Sequence, residues 1–141
     1  MRKFIFSGLI RSFSEEIASK VATIPLPNEE TIFDKIVQGK VPSTKVYEDD
    51  FVLAFRDISP VAPVHIVLIP KLRDGLTSLA SAESRHQQIL GHLILKASQI
   101  AEQENLSEGW RLVSNVGKHG CQSVYHLHFH IIGGRQLSWK H

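Results

Sequence analysis

Between residues 122 and 132 the chain reads Gln-Ser-Val-Tyr-His-Leu-His-Phe-His-Ile-Ile, and it turns at Gly133 and Gly134. His126, His128 and His130 alternate with Leu127, Phe129 and Ile131, which is the two-residue period of a β-strand. The alternation predicts a strand that sends three imidazoles to one face and three apolar side chains into a core on the other. A merely solvated sheet face carries Thr, Lys or Glu in such positions, so a row of histidines points to chemistry.

The same period limits that chemistry. Alternate residues of a strand are about 6.6 Å apart, which separates the backbones of His126 and His130 by about 13 Å. The outer pair is therefore too far apart to ligate one zinc ion, which needs each imidazole at ~2.0–2.1 Å. Adjacent members could chelate with help from His65 or the lone Cys121. The other use of the row is covalent: a central nucleophilic imidazole, one neighbour that orients it and another that meets the substrate's charge.

Composition fits one compact domain. The chain has 141 residues, long enough to bury about two-thirds of its unfolded surface, and its 43% hydrophobic and 21% charged residues are those of a globular protein. No apolar run approaches the ~18 residues of a membrane span. Residues 1–13 carry Arg2, Lys3 and Arg11 with no acid, so they supply +3 of the formal net charge of +2 and leave the body at −1. The body has no basic stripe of the kind that binds nucleic acid. The basic, Ser-containing extension fits either a mitochondrial presequence or a tail without targeting value. One cysteine gives no internal disulfide, which suits a reducing compartment, cytoplasmic or mitochondrial.

Local signals divide residues 14–141 into elements. Ser14 caps a short helix carrying Ile17 and Val21 that Pro25 and Pro27 end, and Thr31 caps a second with Ile32, Phe33 and Ile36 on one side, closed by Gly39. Residues 45–48 and 51–55 read as strands joined at Asp49 and Asp50. Residues 64–69 form a continuous apolar run stopped by Pro70, the mark of a central strand covered on both faces. From about 84 to 104, Ile89, Leu90, Leu93, Ile94, Ala97, Ile100 and Ala101 recur at three- and four-residue steps and make one long helix with an apolar stripe, on which His86 and His92 are structural. Residues 110–115 and the histidine strand follow, separated by a Gly-bearing loop at 116–121. The fold class is α+β with an antiparallel sheet, one long helix and short N-terminal helices.

The chain lacks both the Walker loop and the dinucleotide-binding glycine motif. Backbone amides in the turn Gly120-Cys121-Gln122-Ser123 are the candidate anion donors.

The segment His-apolar-His-apolar-His-apolar-apolar resembles the signature of the histidine triad (HIT) family. Thr31-Ile32-Phe33-Asp34-Lys35-Ile36, Ala54-Phe55-Arg56-Asp57-Ile58-Ser59-Pro60, Ala62-Pro63-Val64-His65, Ile69-Pro70-Lys71 and Gly133-Gly134-Arg135-Gln136 extend the resemblance over residues 14–139, to the Hint branch of nucleoside phosphoramidases. The resemblance implies the HIT fold, a homodimer whose sheets run together, and hydrolysis of purine nucleoside phosphoramidates. By it, His128 is the nucleophile that carries the nucleotidyl group, His130 contacts the α-phosphate, His126 buttresses the site, His65 orients the cluster and Ser123 protonates the departing amine. It also implies that Asp57 grips the ribose, that Asn115 and Ser123 contact the substrate, and that Ile32, Phe33, Ile36, Phe55, Ile58 and Val67 surround the base, while Cys121 and Gln122 join the nucleotide-binding set as amide donors of the turn. No cofactor or metal is implied. Asn115 is equally suited to turn chemistry. Alternatives are a dinucleoside-polyphosphate hydrolase of the same fold and a nucleotide-responsive binding module. A nucleotidyltransferase is disfavoured by His130, where Gln would be expected.

Three features depart from the family's pattern. Cys121 stands where relatives usually have Gly, a strained choice if the position needs positive φ. The end Trp139-Lys140-His141 replaces a usual Pro-Pro-Gly and leaves leaving-group preference open. Arg73 and Val52 occupy positions where some relatives carry a His and a Cys linked to zinc.

Overall fold

A computed structural model describes residues 29–140. The basic extension and the helix expected at Ser14 lie outside the described residues.

The first described helix, α1 (Ile32–Val37), is closed at its start by reciprocal bonds. The Thr31 hydroxyl accepts from the Phe33 and Asp34 amides, and the Asp34 carboxylate accepts the Thr31 amide at 2.7 Å. Gly39, at φ +74°, lets the chain leave the helix through the left-handed region. A hairpin of β1 (Lys45–Glu48) and β2 (Val52–Arg56) follows, its turn held by Asp49, whose Oδ1 accepts the Phe51 and Val52 amides at 2.8 Å. Phe51 therefore belongs to the turn and is exposed, one residue before the strand begins.

Next comes β3 (Val64–Pro70), then two 3₁₀ turns, α2 (Gln87–Gln103), β4 (Trp110–Val113) and β5 (Phe129–Gly133). All neighbours are antiparallel in the order β1-β2-β3-β5-β4, so β3 is central as its apolar run predicts. The order also leaves β1 and β4 at the edges.

Strand alternation builds two cores from one sheet. Val52, Ala54, Ile66, Leu68, Phe129 and Ile131 face α2, where they meet Leu93, Ala97, Ile100 and Ala101. Leu53, Phe55, Val67 and Ile69 face the opposite side, under Phe33 and Ile36 of α1. The apolar stripe of α2 is narrower than its sequence indicates: Ile94 is 48% exposed. Ala97 and Ala101 bring the helix close along one line, and Ile94 stays beyond it. His86 and His92 have structural partners, the Asp74 carbonyl at 2.9 Å and the Asp49 carboxylate at 2.7 Å.

Candidate active site

The face of the sheet under α1 carries the candidate site. Register places Phe55, Val67 and His130 side by side across β2, β3 and β5. The helix above them, the loop after β2 and the loop before β5 close a cavity of about 650 Å³. Every candidate named from the sequence lines this cavity except His126 and Gln122. Ile58 stands at its mouth, 92% exposed.

The histidine row is only half a strand. Pairing with β3 begins at Phe129, and His126 and His128 precede it in an irregular segment. The sides they face still alternate, because Leu127, Phe129 and Ile131 enter the α2 core while His128 and His130 line the cavity. The ladder stops there because the chain bends across the end of β3 to reach the loop, as the Leu127 amide donates to the Leu76 carbonyl at 2.9 Å outside the sheet.

Hydrogen bonds fix the tautomers of the imidazoles. The Val61 amide donates to Nδ1 of His65, so Nε2 of His65 carries its hydrogen and donates to Nδ1 of His130 at 2.9 Å. Neutral His130 is thereby left with an Nε2–H as its remaining donor. Nδ1 of His128 donates to the His126 carbonyl at 2.7 Å, which leaves Nε2 of His128 with a lone pair. His126 has no exposed surface, donates from Nε2 to the Pro70 carbonyl at 2.7 Å and packs against Phe33 with ring centroids 5.9 Å apart. It stands behind the cavity and does not line it.

The four histidines are held neutral mainly by burial. Burial pushes His128, His126 and His65 below the usual imidazole pKa, with Asp57 pulling His65 the other way. His130 is pushed furthest, to about 4, by burial first and then by its neighbours His128 and His65. For His130, crowding of positive charge is the second cause and not the first.

The loop before β5 uses its polar groups on itself. Asn115 Nδ2 donates to the Gly120 carbonyl at 2.7 Å, the turn role open to it, while the residue also lines the cavity. The Cys121 and Gln122 amides donate to the Lys118 and Gly117 carbonyls, so these two expected phosphate donors are already engaged. The Gln122 side chain points inward, donating to the Thr77 and Val124 carbonyls and accepting from the Gly117 amide. A Cβ on Gly120 would lie 2.4 Å from the Val116 carbonyl oxygen, so only glycine fits. Cys121 adopts φ +60°, the left-handed conformation that makes Cys a strained substitute for Gly. Ser123 lines the cavity and is exposed.

Val41, Pro42, Ser43, Arg56, Ser59 and Val124 also line the cavity and were not identified from sequence. They lie in loops or at strand ends, where no period marks a buried face. Among the described residues, Asp57, His65 and His130 bring potential donor atoms within 4.8 Å of one another, a set that differs from the adjacent triad histidines with His65 or Cys121 left open in the sequence. The hydrogen shared by His65 and His130 occupies the space between them, and a cation there would have to displace it. Val52 is buried in the α2 core, and Arg73 donates to the Glu29 carbonyl.

The HIT domain family model matches residues 38–137. The chain belongs to the HIT family. It is 59% identical over 127 residues to adenylylsulfatase HINT1 of Arabidopsis thaliana, covering 89% of this chain and 84% of that protein. It is 59% identical over 114 residues to a 14 kDa zinc-binding protein of Zea mays, covering 81% and 89%. The purine nucleoside phosphoramidase of Escherichia coli K12 is 53% identical over 110 residues, covering 77% and 91%. A solved HIT family hydrolase of Legionella pneumophila superposes with a TM-score of 0.75 at 41% identity, covering 78% of this chain and 97% of that one. The antiparallel sheet with one main helix is thus the HIT fold.

Proposed function

We propose that this HIT-family nucleotide hydrolase cleaves purine nucleoside phosphoramidates at the α-phosphorus through a nucleotidyl-His128 intermediate. The observation that carries the reading is the 2.7 Å bond from Nδ1 of His128 to the His126 carbonyl, which fixes the ring with its lone pair on Nε2. Attack by Nε2 forms an N–P bond as the substrate's P–N bond breaks, and the amine leaves with a proton from the Ser123 hydroxyl. Water then attacks phosphorus, returns a proton to Ser123 and releases the nucleoside monophosphate, restoring the lone pair on His128. Nε2–H of His130 supplies a hydrogen bond to the α-phosphate, Asp57 holds the ribose and the apolar wall from Ile32 to Val67 takes the base. The mechanism uses no metal or cofactor.

The name of the E. coli relative supports an amine as leaving group, and that of the Arabidopsis relative extends it to sulfate on the same α-phosphorus. A dinucleoside polyphosphate would put a nucleotide in that place. The basic segment 1–13 stands outside the catalytic domain in this reading. Among the described residues no helix is long and apolar enough to cross a membrane.

Mass spectrometry of the protein quenched during turnover of an adenosine phosphoramidate tests the reading. A nucleotidyl adduct on His128 is expected. His128→Ala should lose turnover by several orders of magnitude, since the covalent route disappears, while AMP still binds. A wild-type protein that saturates with AMP but releases no amine would instead be a binding module.

A further inference from the structure

His126 has an unmet hydrogen-bonding atom at full burial. Its Nε2–H is taken by the Pro70 carbonyl, so Nδ1 holds the lone pair, and no donor reaches it. The atom it faces is Oδ1 of Asp34, at 3.5 Å, which is also an acceptor. Two acceptors face each other with no hydrogen between them. Buried polar atoms are rarely left so, and each costs about 1–3 kcal/mol.

Asp34 divides its carboxylate between two tasks. Oδ2 accepts the Thr31 amide at 2.7 Å to close the helix cap and lies 3.8 Å from Nη1 of Arg73. Oδ1 is directed at His126. A cap of this kind needs one oxygen and is closed as well by Gln as by Glu, so the helix start does not account for the second oxygen or for the charge.

The ring that Asp34 faces belongs to the residue whose carbonyl holds the nucleophile. We propose that Asp34 is a positioning residue for His128, acting through His126. The Asp34 carboxylate stands 3.5 Å behind Nδ1 of His126, the ring is held on its other side by its Nε2–H bond to the Pro70 carbonyl, and the charge acts on the His126 carbonyl that accepts Nδ1–H of His128. The inference rests on His128 being the nucleophile. When Nε2 of His128 bonds to phosphorus the ring gains positive charge, and its bond to the carbonyl strengthens. An anion behind that carbonyl polarises it in the favourable sense, in an interior with few competing dipoles.

Three charged or polar groups face the His126 ring: Asp34 from α1, and the Pro70 carbonyl and Arg73 from the end of β3 and the residues after it. Phe33 packs on its face, and His128 follows two residues on. Burial lowers the imidazole pKa, the Pro70 carbonyl and Asp34 raise it, and Arg73 lowers it again. Removing the Asp34 charge therefore moves proton uptake at Nδ1 to lower pH.

Asp34→Glu and Asp34→Gln have equal size and both close the cap, but only Glu keeps the charge. In the full chain, single-turnover formation of the nucleotidyl-His128 adduct should stay within about threefold of wild type for Glu and slow about 10- to 100-fold for Gln. AMP affinity should change less than about twofold in either. The ¹⁵N signals of His126 should show proton uptake at lower pH in the Gln variant and, if Arg73→Gln is made instead, at higher pH. Equal slowing by Glu and Gln, or a Gln variant as fast as wild type, overturns the inference while leaving the phosphoramidase reading intact. Absence of any adduct on His128 in wild type removes both.

Discussion

Cys121 is held at φ +60° in the loop that closes the cavity. A side chain in the left-handed region costs about 1–2 kcal/mol, and Cys121→Gly removes that strain at the expense of up to about 1 kcal/mol in unfolded-chain entropy. The net expectation is a gain approaching 1 kcal/mol, seen as a thermal midpoint a few degrees higher. An unchanged or lower midpoint would show that the loop accommodates Cys without strain. His130 makes the opposite kind of contribution. Its folded pKa of about 4 lies below the ordinary 6.5, so between those values the folded chain binds fewer protons than the unfolded one. Stability then rises with pH through the window and is lost as pH falls from about 6.5 towards 4. At about 1.4 kcal/mol per pKa unit, trimmed for partial exposure, the loss is roughly 2–3 kcal/mol. Thermal melts between pH 7 and pH 4.5 should show the decline, and His130→Asn should flatten it.

Among the elements, the loop before β5 is the least legible from sequence. Gln122 reads as a phosphate neighbour in a tight turn, yet its side chain ties the Thr77, Val124 and Gly117 backbones together inside the protein. Gln122→Ala leaves those half-buried groups without their side-chain partner and should destabilise by about 1–3 kcal/mol, measured by denaturant unfolding. A loss under about 0.5 kcal/mol would mean water replaces the amide. The strands were easier to read. Their alternation is set by which side chains meet a core, and that property is local: residues 64–69 announce a central strand, and Leu127, Phe129 and Ile131 an inward face. The break in the histidine strand is not local. Pairing at His126 and His128 is decided by where β3 ends and by the Leu76 carbonyl, which lies about fifty positions away in the chain.

At the scale of the molecule, the sheet order leaves β4 as an edge strand and α2 exposes Ile94 and Leu95 beside its packed stripe. An unpaired edge strand and exposed apolar side chains each favour association. We propose a two-fold homodimer with an isologous interface, for which light scattering at micromolar concentration should give twice the chain mass; a monomer would count against it. By itself the sequence determined the family, the α+β class, the central strand and most of the residues that line the cavity, because periodicity and motif are written in neighbouring positions. Only the tertiary structure decided the imidazole tautomers, the dominance of burial over charge crowding and the inward turn of Gln122. It also brought Asp34 against His126. Each of these depends on atoms far apart in the chain, whose meeting is set by packing.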